Sequence, residues 1–354
     1  MKDRIIKGTV TLIILIVLTA VAVVAYFMIA EIETKVIPNE NTYTCNIEQK
    51  KFMNRNVFIL TPKNVEKSDM IILYFHGGSY MAEIMQEHWN FLEKIINSTG
   101  ATVILPDYPL APKHNYKDVF DMVVPLYNEI VKNVDLNRFV VCGDSAGGGL
   151  ALALEEKIVA DANALSTKEE DREEINQDEM KVNQVYKLPT KTILISPWLD
   201  VRLENPQINE IQKIDKDLNK DTLKLAGLAY AGEEGINSYL VNPIDGDLSK
   251  LKNVTIFTGT SDILNPDVHI LAQRAEEQGT SINIREYEGS SHIWILKNNE
   301  SEQDITEQGL NDFIAELKDT DMNSVNSDGL NWHWQRNIVK KERPRWHNRR
   351  YSCQ

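Results

Sequence analysis

With 354 residues, 42% of them hydrophobic, the chain has material for one large folded domain or two modest ones. Its formal net charge of −14 argues against nucleic acid as the main partner, since a phosphate backbone would be repelled. Three cysteines are too few for a disulfide framework.

The first element is "GTVTLIILIVLTAVAVVAYFMIA", residues 8–30, which carries no charge. At about 1.5 Å rise per residue, such a helix crosses a hydrocarbon core of about 30 Å. Lys2, Arg4 and Lys7 precede it, and Glu31 and Glu33 follow. That bias predicts a cytoplasmic stub and single-pass membrane anchor over residues 1–30, with the remaining chain on the extracytoplasmic side. The alternative is a signal peptide, cleaved near "AVA" at 20–22, which would leave a secreted protein. The apolar run exceeds the roughly 7–15 residues of a signal core, which favours the anchor.

A folded domain is expected over residues 31–320. Residues 42–62 read as two strands joined by a polar turn, and "DMIILYFH" (69–76) as a strand buried on both faces. Residues 83–100 have helical spacing and end at Gly100, a C-cap candidate. Then come a buried strand (101–106), a helix interrupted by Pro125 (116–134), a strand (137–143) and a helix starting near Ser145. Strands at 191–197, 253–259 and 282–288 and a helix around 302–318 complete the series. Helix between apolar strands, repeated, is the pattern of an α/β fold with a mostly parallel sheet.

Three segments break this rhythm. Residues 155–187 contain "STKEEDREEINQDEMK", expected to be an exposed helical extension or a mobile insert. Residues 200–245 exceed a normal connection and predict an accessory helix, "DKDLNKDTLKLAGLAYAG", lying over a sheet edge. The tail, 321–354, turns basic: Arg336, Lys340, Lys341, Arg343, Arg345, Arg349 and Arg350 alternate with Trp332, Trp334 and Trp346. That mixture suits an anionic lipid surface, although a disordered, solvated tail is the favoured reading. Cys142 falls in an apolar strand as core; a disulfide between Cys45 and Cys353 stays open.

The chemistry concentrates in "VVCGDSAGGGLALAL", residues 140–154. A G-x-S-x-G sequence between a buried strand and a helix lifts its serine onto a sharp turn above the sheet, which marks Ser145 as a nucleophile. A serine hydroxyl needs a base within hydrogen-bond reach and a carboxylate to orient that base. In this fold type the chain order is serine, acid, histidine. His292, in "EGSSHIW" after the last strand, is the base; His269 falls within a helix and reads as a surface residue. Asp262, immediately past the strand at 253–259, is the acid, whereas Asp267 reads as a helix cap. Backbone N–H groups must meet the oxyanion, and Gly77, Gly78 and Ala146 are the expected donors. His76 is read as structural, holding its loop.

These motifs, "HGGSY", "PDYPLAPKHNYKDVFDMV", "GDSAGG", "SPWLD", "SDILNPD" and "SSHIW" in that order, resemble the alpha/beta-hydrolases of the hormone-sensitive-lipase-like branch over about residues 69–318. The resemblance implies an alpha/beta-hydrolase fold with an eight-stranded, mostly parallel sheet, helices on both faces and a cap, here assigned to 31–55 and 200–240. It also implies ester hydrolysis through an acyl-serine, with Ser145, Asp262 and His292 as triad and no cofactor or metal. This chain departs from the family at Ser79, where a third glycine is usual, at Pro109, where arginine is common, and at Pro266, where a second aspartate is common. The expected activity is a membrane-anchored serine carboxylesterase or lipase acting on short- or medium-chain acyl esters. The alternatives are acyl transfer or amide hydrolysis with the same triad, or a surface binding module that has lost its chemistry.

Overall fold

The computed structural model describes residues 42–170, 188–251, 253–297 and 303–319. The apolar run at 8–30, the acidic stretch 171–187, Cys353 and the basic tail 321–354 lie outside the described residues. Among the described residues no helix is long and apolar enough to cross a membrane.

Eight strands form one sheet: β1 (Cys45–Phe52), β2 (Arg55–Pro62), β3 (Ile71–Phe75), β4 (Thr102–Pro106), β5 (Phe139–Asp144), β6 (Lys191–Ile195), β7 (Val254–Gly259) and β8 (Ile282–Tyr287). Their order is β1-β2-β4-β3-β5-β6-β7-β8. The β1–β2 and β2–β4 pairs are antiparallel and every other pair is parallel. The short continuous apolar runs at β3 to β7 follow from this: each of these strands is buried along its whole length, so alternation would expose nothing to water. The two flanking strands differ, with β1 and β8 alternating in exposure at the edges.

The helices are α1 (Gln86–Thr99), α2 (Tyr116–Val131), α3 (Ala146–Glu170), α4 (Ile208–Ile211), α5 (Lys220–Ala231), α6 (Asn265–Glu277) and α7 (Gln303–Lys318). One apolar layer packs α2, α3 and α6 on one face of the sheet and continues into α5. A second packs α1 and α7 on the other. Gly100 ends α1 at φ 70, its N–H donating to Ile96 O, as its place in the sequence predicts. Pro125 sits inside α2, which continues through it.

Several expectations are corrected. Residues 45–52, expected in the cap, are the edge strand β1, paired with β2 from Cys45↔Pro62 to Phe52↔Arg55. The accessory helix α5 exists, but not over a sheet edge. The segment leaves β6, an interior strand, so α5 packs above the sheet's carboxyl ends, where Gly227 lies against Val201 and Trp198. The stretch from residue 155 begins as core, not as exposed extension: Glu155, Glu156, Ile158 and Val159 are buried on α3. Cys45 and Cys142 are buried and form no disulfide among the described residues.

Candidate active site

Four loops meet at the carboxyl ends of the parallel strands. They follow β3 (residues 76–85), β5 (145), β7 (260–264) and β8 (288–297). Parallel strands all end on the same rim, so side chains remote in sequence converge there.

Ser145 sits between β5 and α3 at φ 51, in the left-handed region that costs a non-glycine residue about 1–2 kcal/mol. The surroundings hold it there. Its N–H donates to Ile195 O at 2.8 Å, and its carbonyl accepts from Trp198 N at 2.9 Å and Gly149 N at 3.1 Å. The glycines after it let α3 press against the sheet: a Cβ at Gly147 would lie 2.0 Å from Phe75 O.

His292 Nε2 lies 2.9 Å from Ser145 Oγ, and His292 Nδ1 lies 2.8 Å from Asp262 Oδ2. All three side chains are buried. The second oxygen of Asp262 accepts the N–H of Leu264 at 2.9 Å, which fixes the carboxylate plane. A carboxylate only accepts, so it selects the Nδ1–H tautomer and leaves Nε2 as acceptor for the Ser145 hydroxyl. The His292 loop is itself pinned: Ile293, at φ 47, donates its N–H to Ser196 Oγ at 3.2 Å. The three residues chosen from sequence are therefore one hydrogen-bonded relay.

One expected oxyanion donor is otherwise engaged. The N–H of Gly77 donates to Asp144 Oδ1 at 3.0 Å, so its single hydrogen is committed inward. Gly77 must be glycine for closeness: a Cβ there would meet Asp144 Oδ2 at 2.2 Å and Ser145 Cβ at 3.0 Å. The N–H groups of Gly78, Ser79 and Ala146 have no acceptor among the described residues. Gly78 and Ser79 hold φ 109 and 56, turning the loop beside the serine.

Asp144, fully buried, ties this rim together and was not singled out in the sequence. Besides Gly77 it accepts from Tyr74 OH at 2.8 Å and faces His88 Nε2 at 3.3 Å. His88 Nδ1 accepts Met85 N–H, so Nε2 carries the proton and donates. Burial pushes the Asp144 carboxyl up, but His88, Tyr74 and His76 outweigh it and hold it below the ordinary range. The available signal was a carboxylate between a glycine and the candidate nucleophile at the end of a buried strand. His76 is buried too, stacked on Tyr108 at 4.4 Å, with Nδ1 donating to Gly77 O. Burial, with His88 beside it, lowers His76 to about 4, so it is neutral at pH 7.

Other residues fall elsewhere. Asp267 is not a cap: it lies inside α6 and accepts from Asn205 Nδ2 at 2.9 Å. His269 pairs with Glu286 on the outer surface, half exposed. Pro109 removes the arginine common in "DYPLAP", and Asp107 instead takes Arg55 of β2 at 3.0 Å.

The alpha/beta hydrolase fold model matches residues 72–296, most of the described chain and all of the relay. The chain belongs to the alpha/beta hydrolase family. It is 27% identical to an esterase of Acinetobacter venetianus over 62% of this chain and 65% of that one. It is 26% identical to an acetyl-hydrolase of Streptomyces hygroscopicus over 63% and 67%. The chain thus spans about two thirds of the length of these relatives. A solved esterase from the bacterial hormone-sensitive lipase family has the same fold, with a TM-score of 0.65 and 22% identity over 78% of this chain and 84% of that one. The fold agrees with the hormone-sensitive-lipase-like resemblance of the motifs.

Proposed function

We propose that this alpha/beta hydrolase is a serine carboxylesterase in which Ser145, His292 and Asp262 are the catalytic residues. The hydrogen-bonded path from Asp262 through His292 to Ser145 carries the reading, and the names of the relatives, esterase and acetyl-hydrolase, support carboxylic esters as the substrate class.

Ser145 Oγ attacks the ester carbonyl as His292 Nε2 takes its proton. Asp262 fixes the imidazole and compensates the imidazolium charge. The oxyanion accepts from the N–H groups of Gly78, Ser79 and Ala146, each worth about 10²–10³ in rate by analogy with measured donors. His292 then protonates the departing alkoxide, leaving acyl-Ser145. Water, deprotonated by the same imidazole, releases the carboxylic acid.

Short or medium acyl chains suit a nucleophile as buried as Ser145, near which Tyr230 of α5 stacks on Tyr80 of the loop after β3 at 3.6 Å. The apolar run 8–30 and its charge flanks support membrane anchoring with the catalytic domain outside. Hydrolysis of p-nitrophenyl acetate and butyrate, lost in Ser145→Ala, tests the reaction. A fluorophosphonate adduct on Ser145 is the expected label; a folded protein that neither turns over acyl esters nor takes the label overturns the proposal.

A further inference from the structure

The segment between β6 and β7 reaches the relay through two aspartates. Asp215 Oδ2 accepts the N–H of Ile263 at 2.9 Å, the residue directly after Asp262. Asp215 Oδ1 accepts Asp217 N–H at 2.8 Å and Leu218 N–H at 2.9 Å, closing the turn that presents Asp217. Asp217 Oδ2 lies 2.5 Å from Lys297 Nζ. Its carboxylate also accepts from the Ser291 hydroxyl. Ser291 immediately precedes His292, and Lys297 closes the short helical turn Trp294–Leu296 after it. One side chain of the insert therefore grips both ends of the loop that carries the base.

We propose that Asp217 is a positioning residue for His292: it clamps residues 291–297 to the inserted segment and supplies a second negative charge that favours the imidazolium. This rests on the triad reading above. Of the charged groups whose contacts reach this loop, Asp262 and Asp217 are negative and Lys297, on the loop itself, is positive. Burial raises the Asp217 carboxyl, but Lys297, Ser291 and the charge of His292 outweigh it and keep it ionised. In the resting enzyme Lys297 balances Asp217. When His292 takes the serine proton, the cation it becomes stays bonded to Asp262, while Asp217 holds the residue before it and the residue that closes the turn after it.

The test is the pH dependence of kcat/KM on p-nitrophenyl butyrate for Asp217→Asn, Lys297→Met and Asp217→Glu. Removing the negative charge disfavours the imidazolium, so the acid limb of kcat/KM for Asp217→Asn moves to lower pH. Removing the positive charge favours it, so the limb of Lys297→Met moves to higher pH. The expected kcat loss in Asp217→Asn is about 3–10-fold from a loosened loop, and Asp217→Glu restores the wild-type limb. A loss of packing alone moves both limbs the same way or not at all, and either result overturns the clamp. If Asp217→Asn fails to fold, the direction of the Lys297→Met shift decides. Fluorophosphonate labelling of the wild type separates the two readings: a label on Ser145 with unmoved limbs removes only the Asp217 role, whereas no label removes the triad reading together with it.

Discussion

Asp144 accepts the N–H of Gly77 at 3.0 Å, which fastens the loop after β3 to the residue preceding the candidate nucleophile. The same carboxylate serves Tyr74 and His88, so Asp144→Ala leaves three buried donors without an acceptor. The expected cost is about 3–5 kcal/mol of stability, the range for breaking a buried charged cluster. Esterase activity falls with it, because the loop bearing Gly78 and Ser79 loses its anchor. Urea unfolding and kcat/KM measured in parallel check this. The folded-state pKa of Asp144 is depressed, so its stabilisation is complete above the ordinary value near 3.8 and is lost as pH falls through the folded value. The deficit of Asp144→Ala therefore shrinks in acid.

Ser79 occupies the left-handed region at φ 56, at the position where the family resemblance of the motif implies a third glycine. Its expected contribution is a backbone N–H, which glycine supplies equally. Ser79→Gly should leave kcat/KM within about twofold and raise stability by about 0.5–1 kcal/mol through relief of the strained backbone. A tenfold loss of kcat would show instead that the hydroxyl itself contacts the substrate.

Asp262→Asn keeps the shape of the relay but no longer requires Nδ1–H, so the wrong tautomer places a hydrogen on Nε2. The expected fall in kcat is about 10⁴-fold with an unchanged circular dichroism spectrum. Retention of more than a tenth of the activity would assign the acid role elsewhere.

Glu155 is buried on α3 with Thr192 Oγ1 as its partner, and burial pushes its carboxyl up to about 8. Its neighbour Glu156 is buried with neither oxygen bonded and is pushed well above the ordinary range by burial and by Glu155. A folded state that holds a proton the unfolded chain releases loses stability as pH rises from about 4.5 to about 8. Glu155→Gln removes that term. It should match the wild type near pH 5 and exceed it at pH 8 by about 2–4 kcal/mol, read from melting curves at both pH values.

Most of the sheet and the three relay residues were legible in the sequence because each follows from one local signal. Continuous apolar runs mark β3 to β7, a glycine-framed serine follows β5, and a histidine and an aspartate follow β8 and β7. What stayed hidden depends on partners distant in sequence. Gly77 reads as an oxyanion donor because glycines just after β3 let a substrate carbonyl approach the backbone, and only the fold brings Asp144 to its N–H. Asp215 and Asp217 open the stretch expected as an accessory helix, yet the helix begins only at Lys220 and the two aspartates form a turn that bonds Ile263, Ser291 and Lys297. Glu155 and Glu156 end the apolar run "LALAL" of α3, and nothing local marks these two carboxylates as buried.

The close seat of α3 against β3 bears on how this protein could be re-engineered. A methyl group at 143, 147 or 149 would fall within 2.3 Å of a main-chain oxygen, so the structure has no room to absorb it by side-chain adjustment. Saturation libraries aimed at a new substrate range would return misfolded clones at these positions. Diversity is better spent on the inserted segment, whose outward side chains Leu225 and Leu228 face water and can change without moving the nucleophile.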